Sequence, residues 1–97
     1  MSVLLVPIKG SVVSNLNDAK SFAKIYIEDG KSRVEMLKEP NFEDIDFYIT
    51  NKKDEDLSII RENFITPLLV PREDMEIDDV IEAFLFKEFY KIEGENA

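Results

Sequence analysis

The sequence predicts a single α/β domain built on a mixed sheet of five strands, its elements running βββαβα, and three stretches carry that expectation. Asp46 to Val70 reads as one strand, helix, strand unit. Asp29-Gly30 reads as the tight turn of an antiparallel hairpin, because both residues accept the left-handed backbone that a two-residue turn requires. Val3, Leu4, Leu5 and Val6 form an unbroken apolar run, the pattern of a strand buried on both faces. A parallel unit fed by an antiparallel hairpin gives a mixed sheet.

The first strand is expected over Ser2 to Ile8, ending at Pro7 and lying centrally. Lys9 to Asp18 follows as a polar loop with Gly10, Ser11, Ser14, Asn15 and Asn17. Such a loop sits beyond the carboxyl end of the central strand, where open α/β sheets place ligands. Ser21 to Glu28 and Lys31 to Lys38 form the hairpin, and Lys24, Lys31, Arg33 and Lys38 give it a basic face. Pro40 to Asp44 connects onward.

Within the central unit, Phe47 to Ile49 has the aromatic and β-branched content of a buried strand. Asp54 is the expected N-cap of the next helix, with Glu55 and Asp56 in its first turn, where carboxylates suit the helix dipole. Leu57, Ile60 and Phe64 share one helical face, and Asn63 is expected in the left-handed position that ends it. Phe64 to Val70 then returns as a strand parallel to the first, through a right-handed crossover. Pro67 cannot donate to a ladder, which predicts a sheet edge. The last helix carries Ile77, Val80, Ile81, Phe84 and Leu85 on a wide stripe reaching toward Phe89, with Glu76, Asp78 and Asp79 at its start. Phe86 and Tyr90 fall outside that stripe and are the expected partner-binding residues, since aromatics anchor interfaces. Residues 93–97 read as a frayed tail of the one domain spanning 1–97.

Composition excludes more chemistry than it suggests. The chain has no cysteine and no histidine, which removes disulfides, thiolate nucleophiles, imidazole bases and the usual zinc and iron-sulfur ligands. Residues 1–38 hold six basic against four acidic side chains, and residues 39–97 hold six against seventeen, toward a net charge of -9. Such a surface repels phosphate backbones, so no nucleic-acid partner is expected. No apolar run approaches the roughly 20 residues of a membrane span, and no signal-peptide pattern is present, so no membrane partner and a cytoplasmic location are expected.

In the order of its short motifs the chain resembles the dinitrogenase iron-molybdenum cofactor biosynthesis family, the NifX-like and NafY-like proteins. The matching residues are Val6-Pro7 at the end of the first strand, Val13-Ser14 with Ala19 and Phe22, and the Ile27-Glu28-Asp29-Gly30 hairpin. Asp46 to Ile49, Asn63-Phe64-Ile65 (where a glycine and an aliphatic residue are common) and Asp79 to Leu85 complete it. The resemblance implies a ribonuclease H-like topology and a non-enzymatic accessory protein that binds or carries an iron-molybdenum-sulfur cofactor. It departs from the family where a His-Phe-Gly run would follow Val-Ser, since Leu16, Asn17 and Asp18 stand after Asn15, and where Asn51, Lys52, Lys53 and Asp54 replace a glycine-rich turn. The histidine expected to ligate the cofactor is therefore missing.

Ligand binding, if retained, falls to Lys9, Ser14, Asn15, Asn17, Lys20, Asn51, Lys52 and Lys53, whose loops should adjoin beyond neighbouring strand ends. The same lysines also fit ordinary solvated loops. The alternative is an interaction module or homodimeric adaptor without cofactor binding, partnered by a cofactor-assembly protein or by itself. The implied topology raises a third reading, a magnesium-dependent nuclease, with Asp44, Asp46, Asp54 and Asp56 as its nominees.

Overall fold

The computed structural model describes residues 1–92; the expected tail at 93–97 lies outside the described residues. The strands are β1 (Ser2–Lys9), β2 (Val12–Val13), β3 (Ser21–Glu28), β4 (Lys31–Leu37), β5 (Phe47–Thr50), β6 (Thr66–Leu69) and β7 (Tyr90–Lys91). Helices α1 (Ser58–Glu62) and α2 (Ile77–Leu85) flank β6. One mixed sheet runs β4-β3-β1-β5-β6-β7, with β2 folded back on β1. The described sheet thus has seven strands rather than five, and the expected order βββαβα, which counts only four of those five strands, becomes βββββαβαβ. The two strands that sequence reading missed, β2 and β7, have two residues each, too few for an alternation to register.

β1 is the central strand. It runs antiparallel to β3 and parallel to β5, and β5 runs parallel to β6. Its alternate residues feed two cores. Leu4, Val6 and Ile8 pack with Val80 and Ala83 of α2, while Val3 and Leu5 pack with Leu57 and Ile60 on the α1 side. This two-sided burial explains the unbroken apolar run.

Both prolines in the parallel strands stand where no donor is needed. β1 continues through Pro7 to Lys9 instead of ending there. The Val3 carbonyl accepts from Asp46 N–H and the Pro7 carbonyl from Ser14 N–H, so odd residues of β1 address the β5 and β2 side. Pro7 sits where β1 changes neighbour from β5 to β2. Pro67 does not mark an edge, because β7 pairs outside β6. Thr66 and Val70 donate toward β5, which turns position 67 toward the short β7, whose pairing begins at Leu68.

The Asp29-Gly30 turn forms as expected, with φ of 55° and 78°, and Glu28 pairs with Lys31 as its closing pair. α1 differs from expectation. It begins at Ser58, after Leu57, and no acidic side chain lies in its first turn. Asp56 instead accepts from Ser58 N–H and Oγ–H, and Asp54 is not the cap. At the other end Asn63 keeps a negative φ, and Phe64 takes the left-handed conformation at φ 58°. Phe64 N–H donates to Arg61 O and Ile65 N–H to Ile60 O, the paired bonds that close a helix terminus. Phe64 therefore leaves the helical face and is 94% exposed.

Candidate functional site

The polar loops after β1 and β5 meet, as their positions beyond parallel strand ends required. Asn51 N–H donates to Ser14 O at 3.1 Å, and Asn51 Nδ2 donates to Val13 O at 3.3 Å. Asn15 Nδ2 donates to Asn51 Oδ1 at 3.1 Å and to Asp18 Oδ2 at 3.3 Å, while Asn15 Oδ1 accepts from Asp18 N–H. Ser14 and Asn15 are buried. Their polar groups hold one loop to the other.

A residue that sequence reading assigned to a helix turn organises the rest. Glu55 Oε1 accepts from Tyr48 Oη at 2.9 Å and from Thr50 Oγ1, and Oε2 accepts from Leu16 N–H at 3.0 Å. Thr50 Oγ1 accepts in turn from Lys52 N–H at 3.2 Å. One carboxylate thus bridges β5, the β5–α1 loop and the β2–β3 loop. Hydrogen bonds to a charged group typically stabilise by about 1.5–3 kcal/mol each. Burial, and then the adjacent Glu55 carboxylate, push the Tyr48 phenol well above its ordinary value of 10.0. Tyr48 remains a neutral donor. The sequence did carry a signal for this arrangement, since a tyrosine in a strand buried on both faces needs a partner for its hydroxyl.

The remaining nominees are exposed. Lys9, Asn17, Lys20, Asn51, Lys52 and Lys53 all face solvent. The lysines lie around one end of the sheet, Lys9 ending β1, Lys20 donating its N–H to Ile8 O, and Lys52 and Lys53 following β5. A shallow depression of about 320 Å³ between Asn17 and α1 is lined by Leu16, Glu55, Asp56, Ser58, Ile59 and Glu62, with no basic residue. A second, of about 390 Å³, has Asp54, Glu55 and Asp56 against Lys53 and Arg61. Hydrogen bonding from Ser58 Oγ–H, then from its N–H, lowers the Asp56 carboxyl below its usual range, so this rim keeps its negative charge.

A metal-sulfur cofactor does not fit these residues. The chain supplies neither thiolate nor imidazole, and the side-chain oxygens of Asn15 and Asn51 already accept from Asp18 N–H and from Asn15 Nδ2. The carboxylates nominated for a nuclease do not converge either. Asp46 Oδ2 accepts from Val3 N–H, Asp56 is bound to Ser58, and among the described residues no group of three or more acids is placed to hold a metal. Phe86 and Tyr90 are exposed, at 68% and 60%, with Phe86 just beyond α2 and Tyr90 in β7. Phe84 turns inward and meets the Phe47 ring edge-on at 5.3 Å. Among the described residues, no helix is long and apolar enough to cross a membrane.

This architecture and its closed loop junction define a small mixed α/β domain, and comparison with known proteins places it among similar shapes. No family model matches the chain, and no curated protein matches its sequence. It is similar to the crystal structure of "a putative dinitrogenase" from Methanocaldococcus jannaschii, with a TM-score of 0.77 and 16% sequence identity over 97% of this chain and 98% of that one. The two chains share a fold over nearly their whole length.

Proposed function

We propose that this chain is a non-enzymatic, divergent accessory protein of the iron-molybdenum cofactor biosynthesis type that works by protein contact and has given up cofactor binding. The observation that carries this reading is the loop junction. The groups of Ser14, Asn15 and Asn51 that would face a ligand bond to one another, and Glu55 locks the junction from beneath. The fold shared with the dinitrogenase-described protein supports the accessory assignment. The strand order β4-β3-β1-β5-β6, with β1, β5 and β6 parallel, supports a ribonuclease H-like topology within the larger sheet. The net charge of -9 speaks against a nucleic-acid partner.

A second reading rests on the four lysines gathered at the loop end of the sheet, which would offer an anionic metal-sulfur cluster charge without ligation. One experiment separates the two. Native mass spectrometry of the full chain, purified without oxygen from its own source, is expected to show a dimer or a complex with another protein and no metal-sulfur mass. A metal-sulfur adduct that disappears in Lys52→Ala/Lys53→Ala would establish the cluster reading instead. A bare monomer would remove the protein-contact reading. Magnesium-dependent nucleic-acid cleavage lost in Asp46→Asn would replace both with an enzyme.

A further inference from the structure

We propose that β4 is the pairing edge of a homodimer, in which two copies of this chain lie antiparallel with Val34 on the two-fold axis. This deepens the protein-contact reading by naming the partner. β4 closes one side of the sheet and, among the described residues, pairs only with β3. Its seven residues run without proline or glycine and in unbroken register with β3. Val34 and Met36, apolar residues in the middle of a strand, are 39% and 52% exposed. An edge this regular invites another strand.

Hydrogen-bond parity selects the register. Glu28 and Lys31 close a two-residue hairpin, and such a closing pair exchanges its backbone bonds. Alternation then points the backbone groups of Lys31, Arg33, Glu35 and Leu37 at β3 and leaves those of Ser32, Val34 and Met36 facing outward. The bonds of β1 agree, because its odd residues address β5 and β2, which gives its even residues to β3 and the even residues of β3 to β4. The outward residues are symmetric about Val34. An antiparallel copy centred there pairs Val34 with the partner's Val34 and Ser32 with the partner's Met36, so every outward group gains a partner, about six bonds in all.

Charge supports the same register. Arg33 falls opposite the partner's Glu35, and Glu35 opposite the partner's Arg33, so both contacts join opposite signs. Within each chain the two side chains are already held on one face, Arg33 at 4.0 Å over the Tyr26 ring and Glu35 accepting from Tyr26 Oη. On the opposite face Val34 and Met36 would extend the apolar layer begun by Ile25 and Ala23, their neighbours on β3. The hairpin at 21–38 carries four basic and three acidic residues in a chain of net charge -9. Two copies meeting there avoid the repulsion that other faces would impose.

The test is sedimentation velocity of the full chain over a concentration series, with circular dichroism of each variant to confirm its fold. The wild-type chain is expected to dimerise. Arg33→Glu sets like charges opposite each other at both contacts, and so does Glu35→Arg. Each is expected to weaken the dimer roughly tenfold or more. Mixing the two variants restores opposite pairs and should recover dimer as a heterodimer. Val34→Pro, which removes an outward donor without touching a bond to β3, should give monomer. A wild-type dimer indifferent to both charge reversals would overturn the pairing, as would a wild-type monomer throughout. If that monomer is still recovered from its source bound to a different protein, self-pairing fails while the protein-contact reading stands. A monomer recovered alone removes both.

Discussion

Phe64 shows how a single residue can be dictated by its neighbours against its own preference. The α1 terminus requires a left-handed residue so that Ile65 N–H can reach Ile60 O. A bulky side chain in that conformation costs about 1–2 kcal/mol relative to glycine. Phe64 contributes almost no burial in return, being 94% exposed. Phe64→Gly is therefore expected to stabilise the chain by about 0.5–1 kcal/mol, after allowing for the greater freedom glycine has when unfolded. For a domain of this size, a thermal midpoint several degrees higher checks it. Glu55 shows the reverse case. Its expected place in the first helical turn suggested a dipole contact, yet it lies three residues before α1 and its carboxylate accepts from Tyr48, Thr50 and Leu16 N–H, which converge on it. A linear reading has no means of bringing Leu16 beside Glu55.

Among the elements, the β3–β4 hairpin was the most legible, since Asp29-Gly30 sets both turn type and register through local backbone chemistry. Gly30 adopts φ +78° and a Cβ built there meets nothing within 4 Å. Gly30→Ala is thus expected to cost about 1 kcal/mol from backbone strain alone, read as a lower denaturation midpoint with unchanged denaturant dependence. α1 was less legible. With five residues it is too short to be stable by itself, and its start is decided by Leu57 and Ile60 entering the core beneath β5 and β6. β7 was not legible at all, because Tyr90 and Lys91 become a strand only by lying along Leu68 and Leu69.

For the whole molecule, stability at high pH depends on a group buried between layers. The Tyr48 phenol is held far above 10.0, so the unfolded chain loses this proton first. Its contribution is fully present below pH 10 and is lost as pH rises beyond it, at up to about 1.4 kcal/mol per pH unit. Denaturation midpoints of wild type and Tyr48→Phe, compared between pH 9 and 11, check this. The wild type should lose stability more steeply, while the variant starts lower at pH 9 for want of its bond to Glu55.

The sequence alone makes legible the α/β class, the central buried β1, the hairpin, the outward Phe86 and the inward stripe of α2 except at Leu85, which lies at the helix end and is 45% exposed, because each follows from local periodicity or turn chemistry. It also determined that no thiolate or imidazole is available to hold a cluster. It took the folded chain to establish that the two loops of polar residues satisfy each other, that Pro7 and Pro67 sit inside the sheet, and that β4 is an open edge among the described residues. Those outcomes depend on which groups from distant parts of the chain meet at hydrogen-bonding distance, and spacing along one strand does not contain that information.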